Sequence, residues 1–85
     1  MEYEGRAQLG DDSHALEVVV RIPDVERPEW FGYVIECLEL PRGEVTITLL
    51  DGGLYNAWRG TALVRDRPAL PVLVGMVPLE PPVGA

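Results

Sequence analysis

Few side chains in this sequence could act on a substrate, and each has a plain structural reading beside the chemical one. His14 follows Asp11-Asp12-Ser13. An imidazole next to two carboxylates can serve as a general base or a metal ligand. It is the single histidine, so no second imidazole completes a zinc site, and a solvated turn is the simpler reading. The acids lack the alternating spacing of a calcium loop, and Ser13 has no strained nucleophile elbow around it. Cys37 is the only cysteine, with Glu36 and Glu39 as neighbours. A reactive thiol wants a cation or a helix N-terminus nearby, so burial as a small hydrophobe fits better. Asp51-Gly52-Gly53 is not followed by a helical pattern and reads as a turn rather than a phosphate loop.

The aromatic residues say more. Trp30, Phe31 and Tyr33 fall within four positions, and Tyr55 and Trp58 form a second group, with Arg59 beside Trp58. In an extended segment Phe31 and Tyr33 share a face with Ile35 and Cys37, while Trp30 points the other way with Gly32 and Val34. Such a strand is apolar on both faces. One face belongs in a core; the other is half-covered core, a dimer interface or the wall of a ligand pocket. Arg59 is placed to stack on Trp58 or Trp30, to clamp a carboxylate, or to pair with Glu36 or Glu39.

The elements that must position these residues are strands. The eight prolines and nine glycines are spread so that no breaker-free window carries a helical apolar period. Tyr3 to Leu9, Leu16 to Ile22 and Glu44 to Leu50 alternate cleanly, and Val18-Val19-Val20 is β-branched. Trp30 to Leu38 is a further strand. Leu54 to Asp66 is one strand bent at Gly60, or two. Val72 to Val77 is the last, and Leu79 onward is Pro-rich. Asp51-Gly52 signals a hairpin. The expectation is an all-β domain over residues 1–79, a small antiparallel β-barrel or sandwich of six or seven short strands joined as hairpins and meanders. Residues 80–85 form a C-terminal tail.

Composition bounds the function. With 85 residues, 47% of them apolar, the chain makes one small globular domain. Its net charge is −7, and all seven basic residues are arginines that form no stripe. That disfavours nucleic acid and an anionic membrane as partners. No segment resembles a signal peptide or a spanning helix, and a lone cysteine fits a reducing compartment, so the expected location is cytoplasmic.

Tyr3-Glu4-Gly5-Arg6-Ala7-Gln8-Leu9, Trp30-Phe31-Gly32-Tyr33-Val34, Val45-Thr46-Ile47-Thr48-Leu49 before Asp51-Gly52, and the end Val74-Gly75-Met76-Val77-Pro78 form a set of segments. That set resembles small uncharacterised β domains of actinobacteria, some free-standing and some appended to flavin-dependent monooxygenases. The stretch Arg65 to Pro71 departs from them in having no Trp. The resemblance implies a fold and an accessory role, with no catalytic residue and no cofactor to carry over.

The reading is therefore a binding or accessory module rather than an enzyme. It self-associates, as a homodimer, or partners a larger enzyme through Trp30, Phe31, Tyr33, Tyr55, Trp58 and Arg59, the residue types that dominate interface energetics. The second reading is a small-molecule binder or small-barrel enzyme: a barrel holding an apolar or aromatic ligand, with Arg59, Tyr33 or Glu36 as polar handle.

Overall fold

In the computed structural model, residues 1–10, 15–36, 40, 42–65 and 70–82 are described, Glu36 by its backbone alone. Six strands form: β1 (Tyr3–Leu9), β2 (Leu16–Ile22), β3 (Phe31–Glu36), β4 (Gly43–Leu49), β5 (Arg59–Arg65) and β6 (Val72–Glu80). They close into an antiparallel barrel in the order β1-β2-β3-β6-β5-β4, with β4 back against β1. Of barrel and sandwich, the chain forms the barrel. Closure removes the unpaired edges that a sheet of this size would otherwise expose.

The topology is two three-stranded meanders rather than one. β3 neighbours β6, not β4. The segment after β3 thus joins strands on different halves of the barrel, where hairpins throughout would have joined adjacent ones.

The inward rows are the apolar halves of the alternating strands. Ala7 and Leu9 of β1, Val18, Val20 and Ile22 of β2, Val34 of β3, Ile47 and Leu49 of β4, Ala62 of β5 and Leu73 of β6 are almost fully buried. No buried side-chain nitrogen or oxygen lacks a partner among the described residues. Each fully buried Leu, Ile or Val is worth ~1.5–3 kcal/mol relative to exposure, so this shared interior dominates stability. The outward rows carry exposed ion pairs between β1, its flank and β2, Arg6–Glu17 at 2.9 Å and Arg21–Glu2 at 2.8 Å. Solvent leaves such pairs worth little.

Two segments depart from the sequence reading. β6 does not stop at Val77 but runs through Pro78 to Glu80, and Leu79 is buried. The pairing of β5 with β6 shifts register twice, passing from Ala62↔Gly75 to Thr61↔Val77 and then to Arg59↔Glu80. Each shift is a bulge in β6, and a bulged residue needs no ladder partner, so a proline without an N–H is accommodated. Glu80 thus belongs to the domain rather than to the tail. The second departure is residues 54–57, which form a turn ahead of β5 instead of part of a strand. No helix long and apolar enough to cross a membrane occurs among the described residues.

Candidate functional site

The aromatic residues expected to form one contact surface divide between inside and outside. Trp30 is 2% exposed and belongs to the core. Its indole N–H donates to the Val77 carbonyl at 3.0 Å, and its own carbonyl accepts from the Gly75 N–H at 2.9 Å. The ring lies so close over Gly75 that a Cβ there would sit 2.5 Å from Nε1. Trp30 is therefore corrected from a contact residue to a structural one. The same alternation that puts Phe31 and Tyr33 outside puts Trp30 inside.

Tyr55 is also buried, at 5% exposure, within the turn that links β4 to β5. Asp51 Oδ2 accepts from the Tyr55 backbone N–H at 3.0 Å, and the Tyr55 hydroxyl donates to Glu26 Oε2 at 3.3 Å. Trp58 packs edge-on against it, ring centres 5.0 Å apart, partly buried against the core. Burial, with Glu26 nearby, pushes the Tyr55 phenol above its ordinary range. Asp51 thus acts as the anchor of a longer connection rather than the first residue of a tight hairpin, and Tyr55 and Trp58 close one end of the barrel.

Phe31 and Tyr33 do face outward. They are 44% and 37% exposed, with ring centres 5.7 Å apart in an edge-to-face arrangement. Ile35 continues the row. Across the seam Phe31 stands opposite Val74 and Tyr33 opposite Val72, and Val74 in turn lies opposite Leu63 of β5. Beyond Val74 the first bulge turns two successive residues of β6 outward, leaving Met76 and Val77 half exposed. The outer surface of β3 and β6 is thus a continuous apolar face. Its arginines stand at the margins, Arg21 opposite Tyr33 on β2 and Arg65 opposite Val72 on β5.

The sequence reading missed the β6 half of this face. Its signal was present in Val72-Leu73-Val74-Gly75-Met76-Val77, apolar on both faces like β3, but adjacency to Phe31 comes only from the pairing of the two meanders.

Arg59 lies apart from the aromatics, exposed on β5. It lines an outer groove of about 470 Å³ with Gln8, Thr48, Ala57, Glu80, Pro81 and Pro82. Asp11, Asp12, Ser13, His14, Cys37 and Glu39 lie outside the described residues, as does the side chain of Glu36. Among the described residues no three His, Cys, Asp or Glu side chains gather as a metal site.

The chain is thus a small closed six-stranded barrel with one uncharged outer face. No family model, curated protein or solved structure matches it.

Proposed function

We propose that this protein is a binding module of the cytoplasm that works by protein contact, and that the outer face of β3 and β6 is its contact surface. The observation that carries the reading is the continuous exposure of Phe31, Tyr33, Ile35, Val74, Met76 and Val77. Together these offer on the order of 500 Å² of apolar side chain, the upper part of the ~300–600 Å² range of a monomer's largest patch, which is often functional.

The occupant favoured by charge and area is a second copy. A chain of net charge −7 repels its own kind, and two copies approach at least cost through a face whose centre holds no acid. Two such faces together bury about 1,000 Å² or more, where specific interfaces begin. A two-fold axis near Phe31 and Val74 would make the contact self-complementary.

Sedimentation of the parent, Phe31→Glu and Met76→Glu tests this. The parent is expected at twice the 9.4 kDa chain mass, and both variants as folded monomers with the parent's circular dichroism. A parent that stays monomeric at high micromolar concentration overturns self-association and leaves the face to a different protein. Variants that remain dimeric show that the contact lies elsewhere.

A further inference from the structure

The groove around Arg59 is built by register. Gln8 of β1 stands opposite Thr48 of β4, Thr48 opposite Arg59 of β5, and Arg59 opposite Glu80 of β6. Four adjacent strands therefore set an amide, a hydroxyl, a guanidinium and a carboxylate in one outward row, each about 5 Å from the next at the backbone. Ala57, Pro81 and Pro82 flank the row, and the open groove has a volume of about 470 Å³, within the ~300–1,000 Å³ of small-molecule sites.

Two features set the row apart from an ordinary polar surface. Directly opposed charges on neighbouring strands normally close on each other, yet among the described residues Arg59 and Glu80, although opposite in register, form no ion pair with each other. Both residues line the groove. Its wall also holds Ala57 at φ 65°, the described residues' only non-glycine with positive φ. That conformation is strained in a residue with a Cβ, and such strain gathers where a ligand is clamped.

We propose that this groove binds a zwitterionic α-amino acid, its carboxylate on Arg59 and its ammonium on Glu80. A guanidinium takes a carboxylate in two parallel hydrogen bonds. The Gln8 amide and Thr48 hydroxyl add donors on the Arg59 side, and the prolines with Ala57 receive an apolar side chain. A dicarboxylate meets Glu80, a diamine meets Arg59, and an uncharged apolar ligand would strip water from both charges without replacing it. The site is independent of the β3–β6 face, so either assignment can fail without the other.

Amide-resolved NMR titration of the whole chain tests the site, with L-leucine as probe. Two controls each lack one charge: 4-methylpentanoate has no ammonium and 3-methylbutylamine no carboxylate. Leucine is expected to shift the amides of Gln8, Thr48, Arg59 and Glu80 saturably in the millimolar range. Both controls are expected to bind about tenfold more weakly or less, as loss of one charge-assisted contact implies. Arg59→Met and Glu80→Gln, both exposed and harmless to the core, should each weaken leucine by a similar factor and leave the remaining spectrum unchanged. Absence of saturable shifts up to tens of millimolar overturns the proposal. So does binding that either control matches, binding that survives both substitutions, or shifts confined to the β3–β6 face.

Discussion

Tyr3 illustrates how much rests on single polar atoms in a small barrel. Its ring is 6% exposed, and its hydroxyl donates to the Arg6 carbonyl on the same strand. Burial, with the Asp51 charge in the same direction and Arg6 opposing, holds the phenol above its ordinary value of 10.0. The fold therefore favours the neutral form. Below the pKa of the unfolded chain both states carry the proton and this contribution is complete. Above about pH 10 the unfolded chain ionises first, so stability falls as pH rises towards the folded value. Tyr3→Phe should lose about 1 kcal/mol near neutrality for the missing hydrogen bond and show a shallower alkaline decline. Tyr55 is shifted the same way, so part of the decline should persist. Urea midpoints from neutral to strongly alkaline pH measure both effects; equal slopes in parent and variant would refute the role given to Tyr3.

Among the elements, β3 and β6 act as one unit. Trp30, just ahead of β3, is held by hydrogen bonds to Val77 and Gly75 and lies across the glycine. Gly75→Ala should cost about 2 kcal/mol or more, since an inserted methyl must displace a buried indole and overpacking costs ~1–3 kcal/mol. Tryptophan fluorescence and the unfolding midpoint should move together; an unchanged midpoint would mean that the ring yields freely. β1, β2 and β4 were legible in the sequence because each has one wet face, and the alternation states their bounds almost to the residue. The length of β6 was not, because Pro78 is a strand breaker unless a bulge frees its position, and a bulge is set by the partner strand. Tyr55 looked like strand because its neighbours are apolar, while its burial depends on Asp51 and on Glu26, distant in sequence. Phe31 and Tyr33 were legible as sharing a face, but not which face of β3 is exposed; Gln8, Thr48, Arg59 and Glu80 were not legible as a row, since three registers must be known before they align.

For the whole molecule, the net charge and the uncharged face act against each other. Two chains of −7 repel at any distance within the screening length, whereas apolar contact is insensitive to screening. Raising salt from about 0.05 to 0.5 M shortens the Debye length from about 14 to 4 Å, so self-association through this face should tighten. Sedimentation equilibrium across that range reads the sign directly. Association that weakens with salt would instead point to a contact made by opposite charges.

The closed ring also has two seams. β1 with β4 and β3 with β6 are the lines where the first three strands meet the last three. Each half is a continuous piece of chain, and the halves are linked once. Opened along both seams, the molecule becomes two curled sheets on a single tether, each presenting the other's complement. Two molecules opened in this way could trade halves and close again with every native pairing kept. At high concentration the architecture therefore offers an interlocked pair built from the monomer's own contacts, distinct from any arrangement in which finished barrels merely touch.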